Sequence, residues 1–319
     1  MISGYAATSN GGLEENNDSY IIFDFGDWLV AGVCDGSAVT YSSINTGQIA
    51  VVIIRDYFNR LKDKVLNHDQ MQKELEHLAY TLSRIYLSIN GMSENFSSVC
   101  TSMGLVVVEK ISLRGFVMNI GSTEIQLIRN GQYSRICDLH TVAYDELKKG
   151  EIAENELYHH PKRAILTSAL GVFNEPVIDL KSMTFETNDI LLLSTDGIFR
   201  VTSPEGIIQD LAENSEANKS MKECVDLLIK KTESYDPQDN VTLCVLNLAV
   251  DTERPVRTLK QRQINQDNLN RIEKALEQPT GSIKEKRADL LDQRKSRYRN
   301  QNPNPAQYNQ YDPFEKFRR

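Results

Sequence analysis

Two patterns of apolar positions alternate along the first 250 residues. Short continuous runs occur at 19–25 (SYIIFDF), 28–34 (WLVAGVC), 103–109 (MGLVVVE), 115–120 (GFVMNI), 124–128 (EIQLI), 190–194 (ILLLS) and 241–249 (VTLCVLNLA), and these read as strands. Most are continuous rather than alternating, which is the pattern of a strand covered on both faces. Between them, 43–65 and 69–90 are long, apolar-periodic and almost free of Gly and Pro, so they read as two consecutive helices, with a third over 218–233. Strand groups separated by helix pairs predict a layered α+β domain instead of a simple βαβ alternation.

The pattern changes near residue 250. Beyond it the chain is rich in Gln, Asn, Lys and Arg and poor in Val, Phe and Gly. Its charge also reverses. Residues 251–319 carry 16 Lys and Arg against 10 Asp and Glu, whereas 1–250 carry 20 against 34. The expectation is a domain over 1–250 and a basic tail over 251–319. Leu269, Ile272 and Leu276 share one helical face in that tail, as do Ile283, Leu290, Leu291 and Tyr298 beyond a break at Pro279-Thr280-Gly281. After Arg299 the Asn/Gln/Pro-rich sequence reads as disordered. Such a tail is a solvated, partly helical extension or a docking element for an acidic partner or for the acidic domain itself.

Composition removes several classes. The 319 residues are 40% hydrophobic and 25% charged, as in ordinary globular chains. The net charge of -8 argues against a nucleic-acid partner. The longest aliphatic run, IAVVII at 49–54, is far short of the roughly 20 residues of a membrane span, so no membrane role is expected. The start, MISGYAATSNGG, lacks the basic and apolar regions of a secretory signal, so the expected location is the cytoplasm. Five cysteines without a CxxC pair read as buried, reduced thiols.

Three aspartates stand at the ends of apolar runs. Asp35-Gly36 follows WLVAGVC, Asp196-Gly197 follows ILLLS by one residue, and Asp239-Asn240 precedes VTLCVLNLA. Each carboxylate is therefore expected at a sheet rim, with the glycine permitting a tight turn and a close approach to the backbone. Asp18, just before the run at 19–25, is a fourth candidate. Converging carboxylates resist ionisation unless a cation sits among them, and hard divalent cations such as Mg²⁺ or Mn²⁺ prefer such oxygen ligands. The plainer reading of each Asp-Gly or Asp-Asn, taken singly, is an ordinary turn.

In order along residues 3–250, ENNDSY, LVAGVCDGS, SVCTSMGLVVVE, FVMNIGSTEIQLIRNGQ, the stretch from LHTVAYDELKKG to HHPKRAILTSALG, DILLLSTDGIF and DNVTLCVL resemble the motifs of the bacterial metal-dependent protein phosphatases of the PPM, or type 2C, family. The resemblance implies a four-layer α/β/β/α sandwich of two antiparallel sheets flanked by helices. It also implies a dinuclear Mg²⁺ or Mn²⁺ site and hydrolysis of phosphoserine or phosphothreonine by metal-bound water, with no side-chain nucleophile. On it, Asp35 bridges two ions, the Gly36 carbonyl binds one, Asp196 and Asp239 hold the other, and Asp18, Asn17 and Asn240 position water or ligands. The implied partners are a phosphoprotein substrate and a cognate Ser/Thr kinase.

The sequence also departs from the family. Asn17 stands where the motif has Glu, Leu13 where it has a phosphate-binding Arg, and Ser37 where many members have His. GDSR becomes Gly121-Ser122-Thr123-Glu124, so Ser122 removes the third-metal Asp. Lys162 and Arg163 are the candidates to replace the lost guanidinium clamp. Two readings follow: an altered working phosphatase, or a catalytically silent pseudophosphatase that binds partners.

Overall fold

The computed structural model describes residues 2–38, 45–91, 99–216 and 219–248. The expected tail, and with it the proposed boundary at 250, lies outside the described residues. Among the described residues, ten strands form two five-stranded sheets. One has the order β1 (Ser3–Ser9), β10 (Val241–Asn247), β9 (Ile190–Ser194), β6 (Glu124–Arg129), β7 (Gln132–Arg135). The other has the order β2 (Ser19–Phe25), β3 (Trp28–Ala38), β4 (Val99–Glu109), β5 (Arg114–Ile120), β8 (Asp179–Thr184). All named pairings are antiparallel.

Strand periodicity places the core. Leu191 and Leu193 of β9 and Cys244 and Leu246 of β10 point one way, into a buried cluster with Leu29, Ala31 and Val33 of β3 and Val106 and Val108 of β4. This is the interior between the sheets. The alternate residues, Leu192 of β9 and Leu243 and Val245 of β10, pack outward against Ile207 of α4 (Pro204–Glu216) and Val225, Leu228 and Ile229 of α5 (Met221–Glu233). On the opposite side α1 (Thr46–Arg60) lies against β2, β3 and β4, and α2 (His68–Gly91) against β4. A short helix α3 (Val142–Lys148) sits in the long connection between β7 and β8. The four-layer α/β/β/α sandwich is therefore present. Continuous apolar runs mark its central strands because one half of each run faces the other sheet and the other half faces helices.

Expectation and structure differ at the margins. β1, β7 and β8 are not among the runs read from sequence, and each is an edge strand whose outer residues keep company with water or a single neighbour. Their sequences, SGYAATS, QYSR and DLKSMT, accordingly carry few large apolar groups. Helix α1 begins at Thr46, three residues later than its apolar pattern, because Asn45 caps it by accepting from the Gln48 amide. Helices α3 and α4 are also absent from the sequence reading. The five cysteines are free, and four are buried as expected while Cys100 is half-buried; Trp28 is buried as well. Among the described residues no helix is long and apolar enough to cross a membrane.

Leu193 is fully buried between the sheets. Leu193→Ala should cost about 2–5 kcal/mol in urea denaturation. A loss under about 1 kcal/mol would mean that this layer is not the core on which the fold rests.

Candidate metal centre

The site is assembled from four separate places in the chain. Asp18 immediately precedes β2, Asp35 lies within β3, Asp196 opens a short 3₁₀ turn (Asp196–Arg200) after β9, and Asp239 stands two residues before β10. Because β2 and β3 belong to one sheet and β9 and β10 to the other, the four meet where the two sheets face each other at one rim. The structure brings them into mutual range. Asp18 feels the charges of Asp196 and Asp239, Asp35 feels all three others, and the Asp35 and Asp196 side chains share a hydrogen bond.

Asp18 is the most deeply set. It is 3% exposed, and its Oδ2 accepts from Thr195 Oγ1 at 2.7 Å and Thr242 Oγ1 at 2.9 Å. One carboxylate at the start of β2 is thus tied to the ends of both β9 and β10. Burial pushes its pKa up to about 7 despite these donors, and Asp196 and Asp239 add to the rise. Burial first, and then the three neighbouring carboxylates, hold Asp35 well above the ordinary range. Asp239 is raised by burial and by Asp196, with Arg200 opposing.

The segment carrying Asp18 is braced by two asparagines. Asn240 accepts from the Asn17 amide at 2.8 Å and donates to the carbonyls of Glu15 at 2.9 Å and Asn10 at 3.2 Å. Asn45, the α1 cap, donates to the carbonyls of Asn16 at 2.6 Å and Asp18 at 3.1 Å. The Asn17 carbonyl accepts from the Gly47 amide at 3.0 Å, so it is committed to the first turn of α1. Asn240 and Asn17 therefore act here by holding the loop that carries Asp18.

The glycines do something other than turn the chain. Gly36 lies inside β3, paired with Thr101, and is not among the residues with positive φ. A Cβ there would fall 2.1 Å from Thr46 Oγ1, 2.4 Å from Gly47 N and 2.5 Å from Asn17 O. At Gly197 it would fall 2.0 Å from Asn240 O. Gly36 makes no turn, whereas Gly197 does lie in the 3₁₀ turn opened by Asp196; at both, the expected close approach of backbone leaves no room for any side chain.

Cations stand beside the carboxylates. Arg163 Nη1 lies 3.7 Å from Asp196 Oδ2, and both line a small pocket with Ser122, Thr141, Tyr158 and Phe199. Arg200 Nε donates to Asp239 Oδ2 at 2.6 Å. Lys162 is placed differently from its neighbour, since its Nζ lies 2.6 Å from Glu146 Oε1. Ser122 is buried and hydrogen-bonds Ser102 at 3.1 Å, so no carboxylate stands at that position. Leu13 is exposed at the surface. Thr195, Thr242, Asn45 and Arg200 escaped the sequence reading. Thr195 sits beside Asp196 in STDG and Thr242 two residues after Asn240 in DNVT, a signal that was available; Arg200, four residues past Asp196 but paired with Asp239, gave none.

The donor set suits a hard divalent cation. It is wholly oxygen, and Thr46 Oγ1, next to Gly36, is buried without a hydrogen-bond partner. As the side chains stand, no group of three or more acidic, His or Cys residues among the described residues is gathered tightly enough to cage an ion. Each carboxylate is engaged elsewhere: Asp18 with two threonines, Asp239 with Arg200, Asp196 with Asp35. The chemistry of Asp35, Asp196 and Asp239, three carboxylates at one rim, fits a hard cation, although their side chains as placed do not enclose one.

Comparison with known proteins gives a consistent result. Residues 153–249 match the family described as Stage II sporulation protein E (SpoIIE). A serine/threonine phosphatase, stp, of Listeria welshimeri is 24% identical over 243 residues, covering 74% of this chain and 88% of that protein. The serine/threonine phosphatase of S. agalactiae shares the fold with a TM-score of 0.68 at 20% identity, covering 79% of this chain and all of that one. The catalytic domain of the phosphatase PstP, solved with two manganese ions, has a TM-score of 0.61 at 20% identity, covering 77% of this chain and 97% of that one.

Asp18 supplies a pH test. Its folded pKa of about 7 lies above its ordinary value of 3.8, so the folded state holds the proton more tightly. That contribution is fully present below about pH 4 and is lost as pH rises through about 7. In metal-free buffer the protein should lose on the order of 1–4 kcal/mol between pH 5 and pH 8, and Asp18→Asn should lose less. Equal slopes for the two proteins would show that Asp18 does not carry the proton.

Proposed function

As a member of the bacterial PPM, or type 2C, phosphatase family, this chain is, we propose, a metal-dependent phosphatase acting on phosphoserine and phosphothreonine in proteins. The observation that carries the reading is the convergence of Asp18, Asp35, Asp196 and Asp239 at one rim, two of them sharing a hydrogen bond. Four such groups crowded together cost stability unless a cation compensates them. Relatives named serine/threonine phosphatase and protein phosphatase support the activity, and a related fold solved with two manganese ions supports the choice of Mn²⁺ or Mg²⁺.

Asp35, Asp196, Asp239 and the Gly36 carbonyl would hold two ions. Bound there, they would supply Lewis acidity toward a phosphoryl oxygen and lower the pKa of a coordinated water. The chain's own residues do the rest. Asp18, held by Thr195 and Thr242, is fixed in place, so it is equipped to orient a water. Arg163, at 3.7 Å from Asp196 and lining the same pocket, presents a guanidinium to an incoming phosphate and stands in for the Arg absent at Leu13. Lys162, paired with Glu146, is reserved for the flank of the site. With Ser122 hydrogen-bonded to Ser102, a third ion has no carboxylate to bind at that position. The substrate is a phosphoprotein, with a Ser/Thr kinase as the opposing enzyme and the cytoplasm as the setting.

A second reading, a silent partner-binding module, is favoured by one specific observation: Arg200 already neutralises Asp239. Hydrolysis of a phosphothreonine peptide in Mn²⁺ decides between the two. Wild type should turn over, and Asp196→Asn should lose at least about 100-fold in kcat. Equal rates for the two, at background, would leave the silent module. Arg163→Ala should lower kcat/KM about 10–100-fold, the value of one charge-assisted contact to phosphate. An unchanged kcat/KM would remove Arg163 from phosphate binding.

A further inference from the structure

Arg200 forms part of the carboxylate rim, yet no motif accounts for it. It closes the 3₁₀ turn that begins at Asp196, and the turn is pinned by Ile198 and Phe199, which are 0% and 3% exposed. The backbone of that turn is packed hard on the next element: a Cβ at Gly197 would lie 2.0 Å from Asn240 O and 3.2 Å from Asp239 Cβ. The root of Arg200 is thereby fixed beside Asp239, and the Nε–Oδ2 contact of 2.6 Å follows from the fold. The pair is only partly covered, with side chains 36% and 28% exposed, so the guanidinium has room to rotate outward.

We propose that Arg200 is a tethered cation that competes with the divalent metal for Asp239 and so sets the centre's metal affinity. The inference rests on the metal-centre reading above. A guanidinium does not give up its proton at any pH the protein survives, so it leaves Asp239 only by moving. Its Nε occupies one of the two oxygens through which Asp239 can ligate. An ion that uses that oxygen must displace Arg200, and an ion that uses the other feels the nearby positive charge. Among the described residues, Asp35 and Asp196 carry no competitor of comparable closeness, since Arg163 stands 3.7 Å from Asp196. The two ends of the centre are therefore unequal: the end built on Asp239 is held in reserve by the chain's own cation.

The test is calorimetric titration of Mn²⁺ into metal-stripped full-length protein. Arg200→Gln removes the charge while keeping a polar side chain, Arg200→Lys keeps the charge, and Arg60→Gln removes an exposed charge from the end of α1, where Arg60 pairs with Asp56. Arg200→Gln should bind Mn²⁺ about tenfold tighter than wild type, with Arg200→Lys and Arg60→Gln within about threefold of wild type. Binding by Arg200→Gln where wild type shows none supports the proposal more strongly still. If wild type binds Mn²⁺ and Arg200→Gln binds no tighter, or Arg60→Gln tightens binding equally, the competition is overturned while the metal centre stands. If neither wild type nor Arg200→Gln binds Mn²⁺ at millimolar concentration, the competition and the metal-centre reading fail together.

Discussion

Four carboxylates pressed together at the edge of a two-sheet sandwich cannot all carry their charge unaided. At the separations of hydrogen-bonded side chains, like charges outside bulk water repel by several kcal/mol, and burial raises the cost. The chain meets that cost in three ways. Asp18 accepts two hydroxyl donors, from Thr195 and Thr242. Asp35 and Asp196 share a hydrogen bond. Asp239 takes a guanidinium. Each is a local answer to the same repulsion, and each describes how the centre would respond to a divalent cation, by releasing a proton or displacing an arginine.

The sandwich exists to hold this arrangement still. The two ends of the acidic set lie on different sheets, so the packing of Leu191, Leu193, Cys244 and Leu246 against Leu29, Ala31, Val33 and Val106 fixes the spacing of the carboxylates. Finer positioning comes from asparagine. Asn45 caps α1 while gripping the loop before β2, and Asn240 grips the same loop from the start of β10. Helix start, strand start and carboxylate are thus coupled through two amides, which have the donors and acceptors to hold three partners each.

Much of this was legible in the sequence, and the remainder was hidden for physical reasons. The central strands declared themselves because a strand buried on both faces must be continuously apolar. The edge strands β1, β7 and β8 did not, because they carry few large apolar groups, whereas the edge strand β2 was legible through its run SYIIFDF. The acidic residues could be found by their position at the ends of apolar runs, and ordered motifs gave them a shared context. The turn expected at Gly36 is absent and the one at Gly197 is present, and both glycines are needed because neighbouring backbone leaves no space for a Cβ. Arg200 was invisible because its partner is 39 residues away in the chain and is brought near only by the pairing of β9 with β10.

The central claim, that crowded carboxylates hold protons which a divalent cation displaces, is tested most directly by counting those protons. Mn²⁺ would be titrated into the metal-stripped protein at pH 6 in buffers of differing ionisation enthalpy. The account predicts release of about one proton or more per protein at pH 6, and less as pH rises past the value near 7 set by Asp18. Binding with no proton released at pH 6 would contradict it, because the carboxylates would then all have been ionised before any ion arrived.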